Sequence, residues 1–469
     1  MSADLLRHIT HIYLLGAGGI GMSALGLYFR GLGKHLYGYD KTPGAITDHL
    51  IKQGAHIHFE EDPSCIPKDF LDAASDHRLV IYTPAIPTDS PLLTYFKNHG
   101  FAMAKRSEVL GWIAQKSFNI SIAGTHGKST TTALIAHVLK VAGLNPTAFV
   151  GAVVAGWESN FLAGDENLTV TEADEYDRSF LHLKPSLAIL TSAEPDHLDI
   201  YKNEEGVKEG YTQFLEGLRR PGNLIISESA FTQLRLDEHR LPSDITISRY
   251  GTSEHVPFRI TSDGQKFFQI IDEKASTTLP LPMPGRHNAL NAAAAALAAR
   301  SLNISDELIA KALASFPGLH RRLEKIFETP TLLYFDDYAH HPTELEACIE
   351  ALRAQAGEKH VTGIFQPHLF TRTRDFAEGF ARALEKLDTV ILMPIYPARE
   401  KPIPGVDSAF LFNLIQHQEK YLASHDAVIP LLEKLRPQGV LATMGAGDID
   451  RLVPVIKNWM QTHLKQNSA

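Results

Sequence analysis

Four groups of residues in this sequence have types and spacings that could do chemistry. The first is Gly124-Thr125-His126-Gly127-Lys128-Ser129-Thr130. Glycines let backbone N–H groups converge on an anion, a lysine reaches outer phosphates, and a neighbouring hydroxyl can ligate Mg²⁺. The general form of such loops, G-x-x-x-x-G-K-[ST], fails at its first glycine, where Ile122 stands, so the loop is the shorter stretch from Gly124 to Gly127. The second group, Gly16-Ala17-Gly18-Gly19-Ile20-Gly21, has dinucleotide-fingerprint spacing and is followed by Asp40, about 20 residues on. Its glycines and helix dipole recognise a diphosphate, whatever base is attached. The third group is acidic. Glu172, Asp174, Glu175 and Asp177 crowd one turn, and Glu194, Asp196, His197 and Asp199 another. Carboxylates gathered as closely as in the first turn are costly without cations, which makes that turn a candidate Mg²⁺ site; the second sets a lone histidine, His197, in an acidic turn just past a strand end. The fourth comprises three polar clusters in the last third: His320-Arg321-Arg322-Leu323-Glu324, Asp336-Asp337-Tyr338-Ala339-His340-His341-Pro342, and Gln366-Pro367-His368-Leu369-Phe370-Thr371-Arg372-Thr373.

Each group follows an apolar run of strand length. His11 to Leu15 precedes the first glycine loop, and Leu36 to Tyr39 ends at Asp40. Ile120 and Ile122 precede the lysine loop, which opens a helix with Leu134, Ile135, Val138 and Leu139 on one face and Gly143 as its stop. Thr171 to Ala173, Leu187 to Thr191, Leu332 to Phe335 and Val361 to Phe365 read as strands ending at the polar clusters, with further strands ending at Tyr396 and Met444. Open α/β sheets bind ligands at the carboxyl ends of their strands, so this pattern specifies an α/β chain. Residues 220 to 280 read as a meander without chemistry. Pro284 to Arg300 reads as a close-packing alanine helix with His287 and Asn291 one turn apart, and Asn288 suits its start.

The chain's 469 residues suggest about three domains. It is 44% hydrophobic and 21% charged, and no apolar run approaches a membrane span. A net charge of −9 argues against a non-specific nucleic-acid binder. The N-terminus lacks a basic segment before an apolar core, so a cytoplasmic location is expected. Cys65 and Cys348 lie far apart, without metal or redox spacing, and read as reduced thiols.

The motifs resemble those of the Mur ligase family. The lysine loop matches GT-x-GK-[ST]; GAGGIGMS is similar to the family's GIGGIGMS; EADEYDRSF resembles EADESD followed by SF, with Tyr176 in place of serine. EPDHLD, GRHN-x-x-N, RRLE, DDYAHHP, YPAREKPIPGVDS and GAGDI follow in family order. FQPHLFTRT departs from FQPHRYTRT at Leu369.

This resemblance implies three parts: a Rossmann-like part at 1–117, a central P-loop ATPase-like part with a mainly parallel sheet at 118–318, and a C-terminal Rossmann-like part at 319–469. It implies an ATP-dependent joining of an amino acid, L-alanine, to the carboxylate of UDP-N-acetylmuramate through an acyl phosphate. Two Mg²⁺ ions are implied, with Mn²⁺ as a substitute, and a monomer or weak homodimer. Carried over residue by residue, ATP falls to Gly124, Thr125, His126, Gly127, Lys128, Ser129, Thr130, His287, Asn291, Arg322 and Asp337. UDP-N-acetylmuramate falls to Gly16, Gly18, Gly19, Ile20, Gly21, Met22, Ser23, Asp40 and Ser107. The amino acid falls to Tyr338, His340, His368 and Arg372, and metal to Ser129, Glu172 and His197. Lys128, His197, Arg322, His340 and His368 are the implied catalytic set, with the base for the amine open between His340 and His368. Family members that add later amino acids carry a metal-holding lysine near the position of Tyr211; alanine-adding members do not. A sibling that attaches a tripeptide to UDP-N-acetylmuramate, a dehydrogenase using the first glycine loop, and a non-catalytic UDP-sugar binder are the competing readings.

Overall fold

The computed structural model describes residues 5–195, 198–236, 242–398 and 400–464. They form three sheets. The first is fully parallel, in the order β3-β2-β1-β4-β5, from β1 (His11–Leu15), β2 (His35–Tyr39), β3 (His56–His58), β4 (Arg78–Tyr82) and β5 (Met103–Lys105). Leu15 lies level with Tyr39 and Tyr82, and Tyr82 with Lys105. The residues that follow these strands, Gly16, Asp40, Thr83 and Arg106, therefore leave the same edge.

The second sheet has ten strands: β6 (Phe118–Ala123), β7 (Pro146–Val154), β8 (Ser159–Leu162), β9 (Asp165–Glu172), β10 (Leu187–Leu190), β11 (Gly222–Ser227), β12 (Ile245–Gly251), β13 (Phe258–Ser262), β14 (Phe267–Ile271) and β15 (Ser276–Pro280). Their order is β15-β14-β13-β12-β11-β10-β6-β9-β7-β8. The strands at its centre run parallel and are almost wholly buried, which is why they read as continuous apolar runs. Ile122 pairs with Glu172, and Ala123 with Leu190, so the lysine loop, the acidic turn and Thr191 emerge together.

The third sheet has the order β16-β17-β21-β18-β19-β20, from β16 (Glu324–Glu328), β17 (Leu332–Asp337), β18 (Val361–Phe365), β19 (Thr389–Leu392), β20 (Lys420–Leu422) and β21 (Gly439–Met444). Only β16 is antiparallel to its neighbour. Met444 pairs with both Asp337 and Phe365, bringing the DDYAHHP and FQPH segments to one edge beside Gly445. The expectation of a strand ending at Tyr396 is corrected. β19 stops at Leu392, and Tyr396 makes an isolated bridge with His368. Pro394 and Pro397 flank that bridge and cannot donate to a ladder.

Backbone contacts group the chain into two compact units. One comprises Met1–Thr261, Gln269–Leu279 and Leu290–Pro317; the other comprises Ser262–Phe268, Pro280–Ala289 and Gly318–Ala469. Within the first unit, one apolar cluster runs from Ile12 and Leu14 through Leu25, Phe29 and Phe149 to Leu190 and Phe214, and another gathers Tyr13, Tyr37, Phe70 and Phe96 on the first sheet. The former packs the helix after the first glycine loop directly on β7 and β8, so the first two sheets share a core. In the second unit, separate clusters cover the two faces of the third sheet. Among the described residues no helix is long and apolar enough to cross a membrane.

Candidate active site

Helix Lys128–Val141 begins at Gly127, whose φ of +80° favours glycine. Gly124, at φ +135°, is constrained in the same way, and a Cβ there would lie 2.2 Å from Thr191 Oγ1. The helix has no side-chain cap and no acidic residue in its first turn, so its leading N–H groups remain available to an anion. Helix Ile20–Gly31, entered from Gly19, is open in the same way. Four other helices are closed by side chains, Asn203, Ser227, Ser305 and Asp407 each capping the helix they precede, whereas helices Ala377–Leu384 and His425–Leu435 also lack such a cap.

Lys128 Nζ folds back onto its own loop, donating to the carbonyls of Gly124 (2.7 Å) and Thr125 (3.2 Å). It also lies 2.8 Å from Glu175 Oε2. Burial works against its charge, but Glu175, Asp174 and Glu172 outweigh burial and hold the amine above the usual lysine range. Glu172 accepts from Ser129 Oγ (3.1 Å) and from the N–H of Gly151 (2.7 Å). Burial pushes its carboxyl upward, against Lys128 and these two donors. Two of the three expected metal ligands, Ser129 and Glu172, thus converge as hard oxygen donors. The third, His197, lies outside the described residues.

The loop is braced by the segment that follows β10 and by helix Glu204–Glu216. His126 N–H donates to Ser192 Oγ (2.8 Å), and His126 Nε2 lies 3.3 Å from Glu194 Oε2. Thr125 Oγ1 donates to the Glu194 carbonyl (2.7 Å) and meets the Tyr211 hydroxyl (3.3 Å). Tyr211 therefore places a phenol on the nucleotide loop. Asn291 sits against Gly127 and receives the Thr131 hydroxyl at 3.3 Å. Thr130 is buried in the first helical turn.

In the first loop, Asp40 Oδ2 accepts the Gly18 N–H at 2.7 Å, tying the fingerprint carboxylate to the glycines. Met22 and Ser23 are buried on the helix, and Ser23 Oγ donates to the Ile20 carbonyl (2.9 Å). Asn160, from β8, also donates to that carbonyl. Ser107 is buried at the start of helix Arg106–Ala114.

In the second unit the structure separates two adjacent arginines. Arg321 is committed to the fold: it donates to the Gly445 carbonyl (2.6 Å) and pairs with Asp336 (3.3 Å) and Asp450 (3.6 Å). Arg322 makes no hydrogen bond or ion pair among the described residues, and its guanidinium lies 5.2 Å from the Tyr338 ring centroid. Asp337 accepts from the N–H groups of Leu323 (2.6 Å) and Ala339 (2.8 Å), and burial lifts its carboxyl to about 6.

The four expected amino-acid contacts form one chain. The Tyr338 and His340 rings lie 5.2 Å apart, and the His340 and His368 rings 5.9 Å apart. Arg372 Nη1 lies 3.4 Å from His368 Nδ1. His340 Nδ1 faces the Tyr338 carbonyl (3.0 Å) and Glu344 (3.2 Å). Burial brings the His340 imidazole down to about 4, with Arg372 contributing and Glu344 opposing. His287 is likewise lowered to about 4, by burial and then by Arg322. Glu344 and Arg106 escaped the motif reading; Glu175 was read there as part of the acidic turn, without its pairing to Lys128.

Three family models match this chain: "Mur ligase family, catalytic domain" over residues 11–118, "Mur ligase middle domain" over 122–299, and "Mur ligase, glutamate ligase domain" over 321–447. The chain belongs to the Mur ligase family. It is 42% identical over 461 residues to the UDP-N-acetylmuramate–L-alanine ligase of Porphyromonas gingivalis, covering 97% of this chain and all of the relative. It is 41% identical over 457 residues to the protein of that name from Flavobacterium psychrophilum, covering 96% of this chain and 98% of the relative. Among solved structures, the UDP-N-acetylmuramate-alanine ligase of Thermotoga maritima matches with a TM-score of 0.80 at 25% identity, over 96% of this chain and 99% of that one.

Proposed function

We propose that this chain uses ATP to join L-alanine to the carboxylate of UDP-N-acetylmuramate, a step of peptidoglycan precursor synthesis taking place in the cytoplasm. Full-length relatives bearing that name support the reading. The observation that carries it is the uncapped helix at Lys128, with Ser129 and Glu172 converging beside it. We assign 1–117 to the UDP-sugar, 118–318 to ATP and 319–469 to the amino acid.

A carboxylate is a poor electrophile, because its leaving group would be oxide. Transfer of the γ-phosphoryl group makes an acyl phosphate, from which phosphate leaves. The open N–H groups from Lys128 to Thr130 hold the phosphate chain, and the Lys128 amine exchanges Glu175 for the outer phosphates. Arg322 is assigned to charge on the transferred group and Asp337 to the ATP ribose, for which its oxygens retain acceptor capacity. Ser129 and Glu172 suit a hard cation such as Mg²⁺, whose role when bound is to neutralise phosphate charge. The helix from Ile20 holds the UDP diphosphate.

Alanine must attack unprotonated. The carbonyl facing His340 Nδ1 fixes a proton there and leaves Nε2 as a lone pair. We therefore assign the base to His340, and to Arg372 the grip on the alanine carboxylate.

The test is phosphate release from ATP with UDP-N-acetylmuramate and amino acids supplied one at a time. Release dependent on alanine supports the proposal. Release dependent only on a tripeptide would replace it with the recycling reaction.

A further inference from the structure

Arg106 joins the two nucleotide loops of the first unit. It opens helix Arg106–Ala114 directly after β5, and its guanidinium covers the start of the helix from Ile20: a Cβ at Gly21 would lie 2.8 Å from Arg106 Nη1 and 3.2 Å from its Cζ. The same guanidinium lies 3.6 Å from Asp174 Oδ2, in the acidic turn after β9. That turn also supplies Glu175, the partner of Lys128, and Asp174 is among the carboxylates acting on the lysine amine.

The neighbouring contacts make the link stiff. Lys105 Nζ binds Asp177 at 3.0 Å, and a Cβ at Gly111, one turn along the helix, would lie 2.6 Å from the carbonyl oxygen of His182. Asp177 and Arg178, between these contacts, hold left-handed backbone at φ +54° and +53°. Successive non-glycine residues in that region persist only where their surroundings hold them.

We propose that Arg106 is a ligand of the diphosphate bound at the first glycine loop, and that its ion pair with Asp174 couples occupancy of that loop to the charge around Lys128. The inference rests on the assignment of UDP-N-acetylmuramate to the first loop and ATP to the second. A diphosphate at the Ile20 helix carries more charge than Asp174 and competes for the guanidinium. Asp174, once released, adds negative charge to the turn facing Lys128 and Glu172, which strengthens cation binding there. Linkage requires the reverse effect in equal measure: Mg²⁺ with nucleotide at the second loop draws on Asp174 and frees Arg106 for the diphosphate.

The test is calorimetric titration of full-length protein with UDP-N-acetylmuramate, with and without Mg²⁺ and a non-hydrolysable ATP analogue, on wild type, Arg106→Lys, Arg106→Gln and Asp174→Asn. In wild type each ligand is expected to tighten the other at least about 5-fold. Arg106→Gln should weaken UDP-N-acetylmuramate about 10-fold and bring the mutual effect below 2-fold, with Arg106→Lys intermediate. Asp174→Asn should keep or improve UDP-N-acetylmuramate affinity and also lose the mutual effect. Unchanged affinity and coupling in Arg106→Gln, with wild type binding both ligands, overturns this inference alone. Wild type binding no UDP-N-acetylmuramate overturns the functional assignment and this inference with it. Melting curves of each variant separate these results from misfolding.

Discussion

The Lys128 amine lies 2.8 Å from the carboxylate of Glu175, and both side chains are almost wholly withdrawn from solvent. A charge pair so placed is costly to break from one side, because the remaining charge stays buried without its partner.

Lys128→Ala should therefore do two things. Phosphate release should fall by about 10³-fold or more, as the cation facing the transferred group is lost. Unfolding free energy should fall by roughly 3–5 kcal/mol, with part recovered by adding Glu175→Gln. UDP-N-acetylmuramate affinity should stay within about 2-fold. Steady-state phosphate assays, denaturant melts and calorimetry check the three; equal loss of nucleotide turnover and UDP-sugar binding would contradict the assignment of separate loops.

The paired arginines should part company. Arg321→Ala removes a carbonyl contact at Gly445 and the partner of buried Asp336, so it should lower stability by about 3 kcal/mol. Arg322→Ala should barely move the melting temperature and should cut kcat by about 10²-fold. If the two variants gave the reverse pattern, the role given to Arg322 would be wrong.

His340 predicts an acid limb of stability. Its folded value of about 4 lies below the ordinary 6.5, so the folded protein resists a proton that the unfolded chain accepts. The contribution is full above pH 6.5 and is lost as pH falls toward 4; His287 acts in the same direction. Asp337, raised from 3.8 to about 6, opposes both, because the folded state takes its proton first as pH falls through that window. His340→Gln should flatten the decline of melting temperature between pH 6.5 and 4. An unchanged slope would mean that His340 is not held neutral in the fold.

Leu369 stands where arginine is common in the family and adopts a φ of +70°, which a branched side chain tolerates poorly. Its N–H donates to the Tyr396 carbonyl at 2.9 Å, a contact any residue except proline can make. Leu369→Gly should be neutral or stabilising, within about 1 kcal/mol, by chemical denaturation. The same change at Leu345, fully buried in helix Pro342–Ala356, should cost more than about 3 kcal/mol.

Several features were legible because they are local. The strand, turn and helix around Gly124 to Gly127 need only an apolar run, two glycines and an amphipathic segment. The observed bounds of β1 and β18 coincide with the runs His11 to Leu15 and Val361 to Phe365. The end of β19 was misjudged because the apolar run continues through Met393, Pro394 and Ile395, past the last ladder bond.

The sequence by itself determined the family, the α/β class and the segments that carry the polar groups, since each is written in neighbouring residues and their period. Tertiary structure alone decided which groups meet. Strand register puts Glu172 beside Ser129, folding of the acidic turn gives Lys128 its partner in Glu175, and Asp336 with Gly445 claims Arg321 while leaving Arg322 unclaimed. These pairs are separated by 43, 47, 15 and 124 positions. Spacing along a chain says nothing about contacts that arise when sheet edges align.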